Sequence, residues 1–210
     1  MSDLNKYKRG IKMFNKIMYL FFVSLIFTAC SACSQNIKTF NDTSDGSDSE
    51  EYPFATWEEC SQNFGDHPCN FTLKDQDNND VSLYDFYGDT IVIDFSVTWC
   101  GPCNSAASEV QDVKDAYESE GFTYLTVLIE NSQGDPASVD DCEDWADTYE
   151  IYEPVLAGSR SMIDYSSTNG WNITNWPTFF FITDEMVLNT GMRGFSSSYL
   201  NMLIQDTMDL

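Results

Sequence analysis

The sequence predicts one α/β domain with a mixed central sheet, entered through a short β-hairpin. Three observations point there. Two apolar runs of strand length, 90–96 and 123–129, are separated by a stretch with helical spacing. A second pair of strand-like runs, 178–182 and 187–192, lies close together near the C-terminus. Ahead of them, two short runs flank a loop rich in Asp and Asn. A chain of 210 residues that is 42% hydrophobic and 15% aromatic can bury one sizeable core, with length left for extensions.

In chain order, Phe71-Thr72-Leu73 and Val81-Ser82-Leu83 form the hairpin, joined by a loop over 75–80. Acids and amides alternate in that loop, which invites a calcium site. However, Asp80 stands where a calcium loop needs glycine for its sharp turn, and Phe86 where it needs a bidentate Glu, so a plain turn is expected. The run 90–96 (TIVIDFS) is interrupted only by Asp94 and reads as a strand buried on both faces. From Gly101 to about Glu120, Ala106, Ala107, Val110, Val113 and Tyr117 recur at helical spacing. The run 123–129 (TYLTVLI) is the next buried strand, and strand, helix and strand in this order give a right-handed parallel crossover. A second helix over 136–149 places Val139, Cys142, Ala146 and Tyr149 on one face. The run 178–182 (TFFFI) is a further strand and 187–192 its antiparallel neighbour. A closing helix follows over 196–208 with Ser196 at its N-cap.

The first thirty residues read as an address. Lys6, Lys8, Arg9, Lys12 and Lys16 precede the apolar run 17–29, which is short for a membrane span and ends in small residues beside a cysteine. That is the layout of an export signal over 1–30. Phe27-Thr28-Ala29-Cys30 resembles a bacterial lipoprotein box, with Phe27 in place of the usual Leu, Val or Ile. Cys30 is therefore the first candidate for lipidation and Cys33 the second, and an uncleaved signal anchor is the alternative. Residues 31–53 are polar and acidic and read as a disordered tether, which leaves 54–210 as the folded domain. The expected location is the periplasm or cell envelope, an oxidising setting.

The formal charge is −24, and beyond the first sixteen positions only Lys38, Lys74, Lys114, Arg160 and Arg193 are basic. Such a surface repels nucleic acid and anionic headgroups. No nucleic-acid partner is expected, and membrane contact is expected only through the N-terminal signal or lipid.

The chemistry lies in Trp99-Cys100-Gly101-Pro102-Cys103. Two cysteines two residues apart can close a small disulfide on the first turn of a helix. There Cys100 meets unpartnered backbone N–H groups that favour its thiolate, the attacking species. Cys103, one turn further in, then resolves the mixed disulfide. Pro102 is tolerated in a first turn because its missing N–H has no intrahelical partner there. A zinc site is the rival, but the folded part offers no second Cys-x-x-Cys and a single histidine, His67. No metal and no cofactor beyond the Cys100–Cys103 couple are expected.

These residues carry a family resemblance. IVIDFSVTWCGPC resembles the active-site strand and loop of the thioredoxin superfamily, and Trp176-Pro177-Thr178 with the strand after it resembles that family's cis-proline loop. The hairpin-containing stretch from Asn70 to Phe95 resembles the exported redoxins of the TlpA/ResA-like branch. The resemblance implies a thioredoxin fold, three-layer α/β/α with a mixed sheet and an N-terminal β-hairpin extension. It also implies thiol–disulfide exchange with protein partners, recharged by an external electron donor; a monomer is expected. By position, Asp94 matches the buried acid that handles the resolving cysteine's proton, and enclosure by Ile91, Ile93 and Phe95 should raise its pKa. Pro177 matches the cis-proline that lays an extended substrate against the disulfide, with Trp176 and Thr178 beside it and Trp99, Gly101 and Pro102 flanking. The branch commonly has a glutamate and a proline where Ala106 and Ser108 stand, so an unkinked helix is expected.

Among the other cysteines, Cys60 and Cys69 bracket a short loop and read as a structural disulfide, with an auxiliary redox pair as the alternative; Cys142 reads as a buried small hydrophobe. Two other functions share the fold. A peroxiredoxin-like, AhpC/TSA-type thiol peroxidase would carry Pro and Thr or Ser where Ile93 and Val97 stand. A non-catalytic adaptor would not need an intact cysteine pair.

Overall fold

The computed structural model of the chain describes residues 59–117, 121–167 and 170–208. The expected export signal at 1–30, with Cys30 and Cys33, and the expected tether at 31–53 lie outside the described residues. Among those described, no helix is long and apolar enough to cross a membrane.

The hairpin is β1 (Thr72–Lys74) with β2 (Asp80–Ser82), antiparallel. Its loop is held by Asp75, whose carboxylate accepts the Asp77 and Asn79 N–H groups at 2.9 and 2.7 Å and the Asn79 side-chain amide at 3.1 Å. This is turn chemistry, with Asn78 at φ 63°. A single 3-10 turn (Leu83–Phe86) leads into β3 (Thr90–Val97). The chain then forms α1 (Gly101–Ala107), α2 (Val110–Tyr117), β4 (Phe122–Glu130), α3 (Val139–Tyr149) and β5 (Val155–Ala157). β6 (Thr178–Ile182), β7 (Leu188–Arg193) and α4 (Ser197–Thr207) complete it.

The five-stranded sheet has the order β5-β4-β3-β6-β7, with β3, β4 and β5 parallel and β6 and β7 antiparallel to their neighbours. Every residue of β3 and β4 is buried, so both sheet faces are covered. α2 and α4 meet through the Tyr117 hydroxyl, which donates to Asn201 Oδ1 at 3.1 Å. This is the three-layer thioredoxin-like arrangement with its hairpin extension.

The stretch before β3 also guards both sheet edges. Asp75 bridges Leu156 of β5, and Gln76 bonds the backbone of Glu153 and Val155. At the other edge, Gly65 and Asp66 exchange backbone hydrogen bonds with Leu188 of β7 at 2.8 and 2.9 Å. Part of each edge is thereby paired.

Three features differ from expectation. The helix expected from Gly101 onward is broken at Ser108-Glu109 without a proline. The Ser108 hydroxyl donates to the Ser105 carbonyl at 2.7 Å, and the Glu109 N–H goes to Ala106, three residues back, which tightens and ends α1. Strand β5 lies in a stretch to which the sequence pattern assigns no element. That stretch also sends Trp171 into the core against Phe71, Phe95 and Phe180. Ser196 does occupy the N-cap of α4, but through its carbonyl, which accepts the Leu200 N–H at 2.8 Å, and not through a side-chain bond.

Candidate active site

β3 is the middle strand, and the chain leaves its end directly into the cysteine pair. Trp99 turns outward with 52% of its surface exposed. Cys100 then takes the N-cap of α1, and its Sγ accepts the Cys103 N–H at 3.1 Å. One otherwise unpartnered helix donor is thus aimed at this sulfur. Cys100 and Cys103 form a disulfide, with Cα atoms 5.2 Å apart. Cys100 keeps 6% exposure and Cys103 none, so only the first sulfur can be reached from outside. Gly101 and Pro102 are exposed on the first turn.

Asp94 lies on the same strand and is 1% exposed. Burial pushes its carboxyl from 3.8 up to about 7, against the weaker pull of two hydrogen bonds. Ser96 Oγ donates to Oδ1 at 2.7 Å, and the Tyr124 hydroxyl of β4 donates to Oδ2 at 3.4 Å. Burial, then the charges of Asp94 and of Glu109 at the α1–α2 break, hold the Tyr124 phenol well above its usual range, so it remains a donor. Neither partner is among the residues expected around Asp94. The expected enclosure by Ile91, Ile93 and Phe95 is corrected, because by strand alternation these residues face the other side of β3. The available signal was the period of two in polar residues on buried strands: Asp94 and Ser96 on one, Tyr124 and Thr126 on the next. Thr126 is in register with Asp94, and its Oγ1 is buried without a hydrogen-bond partner, as are Thr98 Oγ1 and Asn104 Oδ1.

The Trp176–Pro177 peptide is cis. Pro177 is buried, and its carbonyl accepts the Gly194 N–H at 2.8 Å. Thr178 opens β6, bonds the Asn175 carbonyl at 2.7 Å and pairs with Phe95 near the end of β3. That pairing brings the proline loop to the sheet end where the cysteine pair begins.

Cys60 and Cys69 form a second disulfide, with Cα atoms 4.8 Å apart. The backbone bonds of its loop fall at Leu188, the end of β7 away from Pro177. His67 lies in that loop and bonds the Met186 carbonyl through Nδ1 at 2.8 Å. Cys142 is buried and unpaired, and burial pushes its thiol up to about 12, with Asp141 and Asp75 adding to the shift.

Comparison with known proteins agrees with this fold. The AhpC/TSA family matches residues 64–190, more than half of the chain. The thioredoxin-like protein YneN of Bacillus subtilis is 26% identical over 125 residues, which is 59% of this chain and 68% of that protein. The thiol-disulfide oxidoreductase ResA of Oceanobacillus iheyensis is 30% identical over 122 residues, 56% of this chain and 58% of ResA, so less than two thirds of that relative is matched. Among solved structures, a thiol:disulfide interchange protein of the thioredoxin family from Chlorobium tepidum has a TM-score of 0.55 at 21% identity. It aligns over 66% of this chain and 93% of its own, which establishes the fold. The chain belongs to the AhpC/TSA family, and its enzyme class is that of the thioredoxin-like thiol–disulfide oxidoreductases.

Proposed function

We propose that the chain reduces protein disulfides outside the cytoplasm through a mixed disulfide on Cys100. The observation that carries this is the asymmetry of the Cys100–Cys103 pair, in which the reachable sulfur is the one that receives an N–H bond. In the reduced protein the Cys100 thiolate attacks one sulfur of a client disulfide. The client S–S bond breaks, its other sulfur leaves as a thiolate and takes up a proton, and a Cys100–client disulfide forms. Cys103 then gives its proton to the Asp94 carboxylate and attacks Cys100 Sγ. The Cys100–Cys103 bond forms, and the second client thiolate departs. Two electrons have passed to the client, and an external thiol donor must return them.

A carboxyl titrating near 7 suits the proton-accepting role at neutral pH. Trp176, Pro177 and Thr178 form the ledge for an extended client segment, faced by Trp99, Gly101 and Pro102. The Cys60–Cys69 disulfide is structural in this reading. The basic and apolar start of the chain supports export, with Cys30 or Cys33 as the point of lipid attachment and a single copy as the working unit.

Replacing Cys103 by Ser removes the resolving step. C103S should accumulate client proteins linked through Cys100, releasable by reductant, whereas C100S should capture none. Equal capture by both variants would refute the order of attack.

The family match raises a thiol peroxidase as a second reading. Ile93 and Val97, which stand at the motif positions of that activity, are fully buried in β3 and bring no hydroxyl to a peroxide. Peroxide consumption lost in C100S, without any disulfide reduction, decides for the peroxidase.

A further inference from the structure

Beside the cis-proline lies a cavity of about 360 Å³ that the exchange chemistry leaves unused. Its walls come from the disulfide-closed loop (Gln62 to Phe64), the connection after β5 (Ser167, Asn172) and the paired residues Thr178 and Arg193 of β6 and β7. Two contacts tie it to the exchange site. Thr178 follows Pro177 directly, and Gly194, which follows Arg193, donates its N–H to the Pro177 carbonyl. A client strand lying along Pro177 would therefore run next to the cavity.

Arg193 distinguishes this cavity. The other cations of the described residues are engaged. Lys74 meets Asp80 at 2.8 Å, Lys114 bonds the Phe122 carbonyl and lies 3.9 Å from Glu153, and Arg160 pairs with Glu130. Arg193 alone, among the described residues, makes no salt bridge. Its Nη2 donates to Asn172 Oδ1 at 3.4 Å, which uses one of five N–H donors. The acids nearest the walls in sequence are already bonded: Asp66 accepts from Ser61 at 2.6 Å, and Asp164 from Ser166 at 2.7 and 2.9 Å. An arginine without a carboxylate, in a chain of formal charge −24, suits an anion that arrives with the substrate.

We propose that this cavity receives an acidic side chain of the client polypeptide, an Asp or Glu close in sequence to the disulfide cysteine, held by the Arg193 guanidinium. The inference rests on the reading of the Pro177 loop as the substrate ledge. The acidity of the domain as a whole repels such a client, so a preference for Glu over an isosteric Gln can arise only from a local cation.

The test uses two synthetic peptides with an intrachain disulfide, identical except for Glu or Gln two residues from the reacting cysteine. The full chain, reduced with a dithiol and freed of it, passes two electrons to the peptide, whose thiols are counted over time. At low ionic strength the Glu peptide should react roughly three- to fivefold faster, the range of a partly exposed ion pair. The ratio should approach one in molar salt and in R193Q, and fall below one in R193E. Equal rates in the unaltered chain, or a preference that survives R193Q, overturn the proposal while leaving the exchange reading intact. A preference for glutathione disulfide over its ethyl ester, with none between the peptides, also overturns it. Reduction of neither peptide removes the exchange reading and the subsite together. Should R193Q fail to fold, the ratio in the unaltered chain and its loss in salt still decide.

Discussion

Asp94 sits on a strand that water does not reach, and its behaviour with pH follows from that. Its carboxyl titrates at about 7 in the folded protein against 3.8 as an ordinary group, so between those values the folded state holds a proton that the unfolded chain does not. The contribution of Asp94 to folding stability is therefore fully present below 3.8 and is lost as pH rises through 7, a change on the order of 4 kcal/mol. D94N should flatten this profile and be the more stable form at pH 8 in urea titrations. It should also slow resolution of the mixed disulfide by about a hundredfold and remove the rise in rate near neutrality. A pH slope unchanged in D94N would assign the titration to another group. Y124F removes a donor that lowers the Asp94 pKa, so the rising limb should move to higher pH. Cys100, Cys103 and Asp94 were visible in the sequence because their relation is a fixed spacing along one strand and turn. Ser96, two residues on along the same strand, is legible from strand alternation; Tyr124 is not, because it reaches Asp94 only through the β3–β4 register, which no local pattern specifies.

Among the elements, the stretch ahead of β3 has the widest reach. The hairpin partly covers the β5 edge through Asp75 and Gln76, and the Cys60–Cys69 loop pairs with the Leu188 end of β7 through Gly65 and Asp66. Opening that loop with C60S/C69S should lower stability by about 2–3 kcal/mol, from restored freedom of the unfolded chain, and should expose the β7 edge to aggregation. Urea unfolding and light scattering check both effects; an unmoved midpoint would mean that the contacts of Phe64 with Phe180 and of His67 with Met186 hold the loop unaided. The long strands and the hairpin were readable from apolar runs and turn residues. β5 was not, since three residues carry too little pattern, and neither was the core position of Trp171, which lies in a connection without periodicity. The break in the active-site helix is not legible because no proline marks it; instead the Ser108 hydroxyl donates to the Ser105 carbonyl where α1 ends.

The whole molecule combines a strongly acidic domain, a basic and apolar start and a Cys-x-x-Cys disulfide on a thioredoxin-like sheet. Its charge discourages nucleic acid and anionic lipid, which accords with the proposed protein-disulfide substrates. In an oxidising compartment a reductase works only if its couple is more reducing than the client's, so the direction of electron flow is set by one number for the entire protein. The Gly101-Pro102 pair between the cysteines resembles that of reducing family members. The most direct test is the reduction potential of the Cys100–Cys103 couple, obtained by equilibrating the protein with glutathione buffers and quantifying its thiols. A value near about −270 mV is what a disulfide reductase requires, whereas a value near about −120 mV, or a pair that does not exchange with glutathione at all, would contradict it.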